Sequence, residues 1–271
     1  MRGRGMDVQL NALIIDNAFK WTTQLNLSYN KDWITSYYNT NVWGSYFING
    51  GLGISGVVGK PVYSVLAYKW GGLDGSGNPV GFLNGNKSED YTTITGSGTS
   101  LSDLVYKGPA LPPLFGNMGN TFSYKNLSLS IRLTYKFGYY FQRPSINYTA
   151  LFNSATGHSD FAKRWQKPGD ELHTNIPSMI YPAISARDAF YNGSEVLVEK
   201  GDYIRLQYIT LNYHLSKETM KIIPFSGLDL FINANNLGIL WRANKRGIDP
   251  DYFTHSIPDP KNLVLGCRIN F

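Results

Sequence analysis

Cysteine is almost missing from this sequence. Cys267 is the only one in 271 residues, so no internal disulfide can form. Metal-binding patterns are equally scarce: His158, His173, His214 and His255 have no ligand-like spacing with one another or with Cys267. Charged residues make up 16% of the chain, against roughly 25% in ordinary soluble domains. No apolar run approaches the ~18 residues of a membrane helix, and mean hydropathy is −0.23. That excludes a helical membrane protein but not a membrane barrel, whose alternating strands average out on a hydropathy scale. A secretory leader is missing too. Met1-Arg2-Gly3-Arg4-Gly5-Met6 is basic, but no apolar stretch follows it, and the expectation is a piece of a longer protein.

Enzyme signatures are also absent. Gly50-Gly51-Leu52-Gly53 and Gly96-Ser97-Gly98 lack the strand–helix context and the Lys-Ser/Thr of a phosphate loop. No nucleophile, base and orienting group suggest a catalytic set, so neither an enzyme nor a cofactor is expected. Asp249, Asp251 and Asp259 share one loop and carry oxygens suited to Ca²⁺, but their spacing is not that of a calcium loop, and a plain turn is expected. The net charge is +6 and the pI about 9.2. Lys and Arg are scattered without forming a stripe, which argues against nucleic acid.

What the chain does have is aromatic and small polar residues: 14% aromatics, 19 Tyr, 6 Trp and 28 Gly. Its polar residues are mostly Asn, Ser, Thr and Gly, which suit strands and turns. In 19–29 the odd positions are Phe19, Trp21, Thr23, Leu25, Leu27 and Tyr29, and the even ones are Lys20, Thr22, Gln24, Asn26 and Ser28. In 127–137 the odd positions are Leu127, Leu129, Ile131, Leu133, Tyr135 and Phe137, separated by Ser128, Ser130, Arg132, Thr134 and Lys136. This period of two gives a sheet with one apolar and one polar face.

Weaker alternation marks 6–15, 117–124, 202–215, 228–235 and 261–271, about seven strands as a minimum. In 202–215 the phase slips near Tyr208-Ile209, which a β-bulge explains. Aromatics gather where strands end, as in the interfacial belts of a barrel. Trp33, Trp43, Trp70 and Trp165 lie outside the strongest strands and are expected to pack rather than to stack on sugars.

Short and long connections alternate. Asp16-Asn17, Lys125-Asn126 and 216–226 are short; 30–114, 138–201 and 238–260 are long. Outer-membrane barrels have this asymmetry, with short periplasmic turns and long extracellular loops. The long stretches exceed structureless loops, and 61–70 reads as a further strand or hairpin. The chain ends Leu265-Gly266-Cys267-Arg268-Ile269-Asn270-Phe271. Leu265, Cys267, Ile269 and the terminal aromatic Phe271 resemble the signal read by the outer-membrane assembly machinery.

Several stretches resemble SusC/RagA-type TonB-linked transporters. The most specific is 198–213, where Gly201, Asp202, Tyr203 and Arg205 match a motif strand near the end of that family's barrel. Residues 231–237, 247–251, 59–64, 68–74 and 113–129 look similar, in order along the chain. The resemblance implies an all-β fold: antiparallel transmembrane strands with long extracellular loops, residues 1–271 forming the C-terminal portion of a barrel of about 22 strands. It implies an outer-membrane location in contact with the lipid bilayer, and TonB-dependent uptake of oligosaccharides or peptides. The implied partners are a SusD-like surface lipoprotein and the TonB-ExbB-ExbD complex, the latter engaged through a missing N-terminal part. Plug domain, TonB box and signal peptide are absent from these residues, so the piece is expected to be inactive alone. The competing expectations are a secreted glycan-binding β-sandwich and an outer-membrane lipase or protease.

Overall fold

The computed structural model describes residues 1–38, 43–216, 227–254 and 257–270. Seven long strands follow the alternating segments: β1 (Arg2–Asp16), β2 (Phe19–Trp33), β3 (Leu114–Tyr124), β4 (Leu127–Phe137), β5 (Tyr203–Ser216), β6 (Gly227–Arg242) and β7 (Asn262–Asn270). They form one sheet in chain order, and the registered pairs from β2 to β7 are antiparallel. A sandwich would divide its strands between two sheets; here they form a single meander, as in an arc of a barrel wall. Among the described residues β1 and β7 are edge strands. No helix among the described residues is long and apolar enough to cross a membrane, so any crossing falls to the strands.

The register carries the alternation of each strand across the sheet. One apolar row runs Trp21–Phe122–Leu129–Leu211–Ile232–Leu265 over six strands. The next row runs Thr22–Thr121–Ser130–Thr210–Asn233–Val264 and lies on the opposite face. Polar neighbours there bond to one another: Thr121 with Ser130 at 3.0 Å, the Thr210 hydroxyl to the Asn233 oxygen at 3.0 Å, and Asn235 to Asn262 at 2.8 Å. The apolar face has few side-chain bonds of this kind and stays open, with Leu230 42% and Leu265 70% exposed.

Aromatic pairs mark both ends of the apolar band. At the turn end Phe122 contacts Phe19 and Trp21 at 6.3 and 5.7 Å; at the loop end Phe137 contacts Tyr135 and Trp241 at 5.7 and 6.2 Å. The ten steps from Leu127 to Phe137 cover roughly 33 Å along a strand. At a barrel tilt of about 40° this is about 25 Å of height, the thickness of an apolar membrane band.

The predicted slip in β5 is a register shift between Leu206 and Tyr208 that leaves Gln207 as the extra residue against β4, while against β6 the extra residue lies on β6, between Asn235 and Gly238. Arg205 and Tyr208 therefore both fall on the polar face, opposite Thr134 and Arg132. Several boundaries run beyond the sequence reading: β2 ends at Trp33 and β3 starts at Leu114. β1 already starts at Arg2, and β6 continues past Gly238 to Arg242 because Ile204 and Tyr203 pair with Trp241 and Arg242. Gly238, at φ 115°, sits within the irregularity instead of ending the strand. The connection at 216–226 falls largely outside the described residues.

Two of the long stretches, 31–111 and 138–200, with residues 1–3, make a second compact unit. Its hydrophobic residues turn inward. Tyr68, Tyr91, Ile94 and Phe190 form one cluster; Ile146, Tyr148, Ile176, Tyr191 and Leu197 form another. The strand expected in 61–70 is Ser64–Tyr68, buried throughout and paired with Leu104–Pro109. Irregular segments are tied together by Arg187, a buried residue on the helix Ser185–Asn192 that donates to the carbonyls of Ser178 and Gly77 at 3.0 Å each. Such bonds satisfy loop carbonyls that water no longer reaches.

Candidate functional site

The motif strand ends in a cluster built from three elements of the sheet unit. Arg205 donates from Nη2 to both Asp249 oxygens at 2.7 and 2.9 Å, and to Asp251 Oδ2 at 3.2 Å. The Tyr203 hydroxyl donates to Asp251 Oδ2, and Lys136 on β4 reaches Asp251 Oδ1 at 2.8 Å. Two cations approach the Tyr203 ring, Arg205 Cζ at 5.0 Å and Lys136 Nζ at 5.7 Å from its centroid. Both distances are within the range of cation–π attraction. Tyr203 is only 2% exposed, unlike the rest of the strand wall.

Backbone bonds prepare the loop for this grip. Ala243 donates to the Asp202 carbonyl at 2.9 Å, and the Asn244 side chain bonds both ways with Ile248 at 3.0 and 3.1 Å. Burial by itself would raise the Asp251 carboxyl, but Lys136 and the Tyr203 hydroxyl outweigh it and hold the group below the ordinary carboxylate value. Two carboxylates thus meet two cations and a phenol, so the arrangement holds a loop in place. A pocket of about 320 Å³ opens beside it, lined by Lys136, Tyr203, Arg205, Gln207, Asp251 and Asp259 among others.

Of the motif residues, Tyr203 and Arg205 supply side chains to the cluster, Asp202 supplies its carbonyl, and Gly201 is buried beside them. Asp249 and Asp251, weighed in sequence as calcium ligands, are committed to Arg205, Tyr203 and Lys136. Leu265, Cys267 and Ile269 lie on β7, opposite Ile232, Leu230 and Leu228 on the apolar face; Phe271 is outside the described residues. Trp70 packs on Phe190 and Tyr191, Trp165 lies against Gly77, and Trp43 is 62% exposed. Lys136 went unrecognised in sequence. Its signal was the alternation of β4, which puts it on the polar face, but its pairing with Tyr203 needs the register.

No family model matches the chain. TonB-dependent receptor P26 of Formosa agariphila is 26% identical over 313 aligned positions, covering 100% of this chain and 29% of the receptor. TonB-dependent receptor P39 of the same organism is 23% identical, covering 100% and 30%. The chain therefore spans about three tenths of the length of the curated relatives it matches. Among solved structures, the RagAB peptide transporter matches with a TM-score of 0.70 at 19% identity over 99% of this chain and 29% of that one. The RagAB peptide importer in its open-open state also gives 0.70, at 18% identity. Along its whole length the chain is thus similar to TonB-dependent receptors, which are outer-membrane proteins, and it shares the fold of about three tenths of the RagAB transporter, an arc of antiparallel strands from a β-barrel.

Proposed function

We propose that the protein carrying these residues imports nutrients, oligosaccharides or peptides, across the outer membrane in a TonB-dependent manner. The observation that carries this reading is the two-faced sheet. One face has a continuous apolar band of membrane height, and the other is a polar surface bonded to itself. A wall of that kind separates lipid from a watery lumen. The edges of β1 and β7 leave backbone groups that hydrocarbon does not satisfy, which supports residues 1–271 being one part of a larger closed barrel with a plug, inactive alone.

The same reading gives the protein a SusD-like surface lipoprotein and the TonB-ExbB-ExbD complex as partners, and makes Leu265, Cys267, Ile269 and Phe271 the assembly signal. The cluster around Gly201, Asp202, Tyr203 and Arg205 then fixes a surface loop at the barrel rim. Fractionating host membranes and immunoblotting for this segment tests it. A band far above 30.4 kDa in the outer membrane is expected, co-purifying with a surface lipoprotein. A 30.4 kDa band in the soluble fraction would overturn it.

A further inference from the structure

Arg132 sits at the middle of β4 on the polar face, in the row Gln24–Gly119–Arg132–Tyr208–Asn235–Asn262. Its side chain leans across Gly119, where a Cβ would sit in contact at 3.5 Å from Nη2, and Nη2 donates to the Gln24 side-chain oxygen on β2 at 3.1 Å. On the other side the guanidinium carbon lies 5.4 Å from the centroid of the Tyr208 ring. The bulge at Gln207 puts Tyr208 on this face. Above the residues opens a cavity of about 410 Å³ with Thr22, Thr121 and Ser130 on its walls.

The guanidinium is held but not neutralised. Arg205 has Asp249 and Asp251, and Arg143 in the other unit has Asp160. Among the described residues no carboxylate reaches Arg132. Among the described residues, of its five donors only the one aimed at Gln24 has a partner, and Nε is buried without one. A fixed planar cation in a cavity lined by the hydroxyls of Thr22, Thr121 and Ser130 as well as by Ala12, Leu13 and Ile131 matches a carboxylate in geometry and charge. We propose that Arg132, oriented by Gln24 and Tyr208, is a carboxylate-binding subsite in the barrel wall. This rests on the polar face being the lumen. The carboxylate belongs either to an imported solute or to a lumen-filling segment of the same protein.

The test uses the full-length transporter in detergent and in planar bilayers. The probes are a short N-acetylated peptide with a free C-terminal carboxylate and the same peptide amidated. If the solute supplies the group, the free acid binds about tenfold or more tightly than the amide. Arg132→Gln abolishes that difference and Arg132→Lys keeps part of it. If the protein supplies it, the two peptides bind alike, while Arg132→Gln raises the resting ion conductance and lowers the melting temperature of the lumen segment. Equal binding in wild type with neither change in Arg132→Gln overturns the subsite. Should Arg132→Gln fail to assemble, Tyr208→Leu, which leaves the charge unoriented, gives the same readouts. Ser130→Cys separates the two levels of the argument. Labelling by a lipid-soluble but not by a water-soluble maleimide would overturn the lumen reading, and protection from both places it under the lumen-filling segment; reaction with the water-soluble reagent, with Arg132→Gln silent, would overturn the subsite alone.

Discussion

The chain contains two regions folded for different solvents. In the loop unit Phe190 is 0% exposed and is surrounded by Tyr68, Trp70 and Tyr91. In the sheet unit Leu265, Leu230 and their row neighbours point outward, and among the described residues Tyr203 is the one large hydrophobic buried there. The two regions draw on the same residue types. In water, apolar area stabilises a fold when it is removed from contact with solvent, at about 25 cal/mol per Å². In a membrane wall the hydrocarbon supplies that environment, so a single layer of strands needs no second layer over it. Polar groups reverse in the same way. The loop unit buries Arg143 and Asp160 together at 2.6 Å, whereas the sheet keeps its polar residues on one accessible face.

The comparison is broken most directly in the loop core. Phe190→Ala is expected to destabilise that unit by about 3–5 kcal/mol. In limited proteolysis of the full-length protein, cleavage within 138–200 should rise while the strand hairpins stay protected. Unchanged cleavage would mean the loops have no core of their own.

Removing one partner of the buried ion pair comes next. Asp160→Ala strands Arg143, at about 3 kcal/mol, the low end of the range for buried pairs, because Glu199 remains 3.7 Å from Nε. Burial raises the Asp160 carboxyl, but the Ser145 hydroxyl and Arg143 lower it by more, so it stays below the ordinary value. A depressed carboxyl stabilises the fold above its unfolded value of about 3.9 and loses that contribution as pH falls through the folded value. Proteolytic sensitivity of the loop unit should therefore be flat from pH 7 to 5 and climb below about pH 4, and Asp160→Ala should reduce that step to what Asp90, Asp103, Asp170 and Glu171, also held below their ordinary values, contribute.

The sheet is probed with adjacent positions. Ile131→Lys puts a charge in mid-band on the apolar face and is expected to cost about 2–4 kcal/mol. Ser130→Lys puts the same charge on the polar face and should cost no more than the ~1 kcal/mol of its hydrogen bond to Thr121. The heat-modifiable fraction in outer-membrane preparations reads both, and equal losses would remove the distinction between the faces. A smaller effect than that of Ile131→Lys is expected from Arg205→Gln, about 1–2 kcal/mol of local order. It should appear as faster hydrogen exchange in 243–251 with assembly intact.

Much of the sheet was legible from residue order because a strand alternates with a fixed period of two. The polar positions of β4 and β2 identified both faces before any pairing was known, and the phase slip in 202–215 located the bulge to within a residue or two. The loop unit was not legible in this way. Its contacts join residues such as Gly77 and Arg187, 110 positions apart, through irregular backbone with no period to detect. The motif residues Tyr203 and Arg205 were found by resemblance, but their partners Asp249, Asp251 and Lys136 belong to other elements.

By itself, then, the sequence determined the long strands of the sheet, their two faces and the alternation of short and long connections, since each follows from local alternation and turn chemistry. Only the tertiary structure decided which polar residues meet. Register sets Arg132 across Gly119 toward Gln24, and loop closure brings Asp251 to Lys136. Those distances depend on how separate strands align, and no local pattern encodes that alignment.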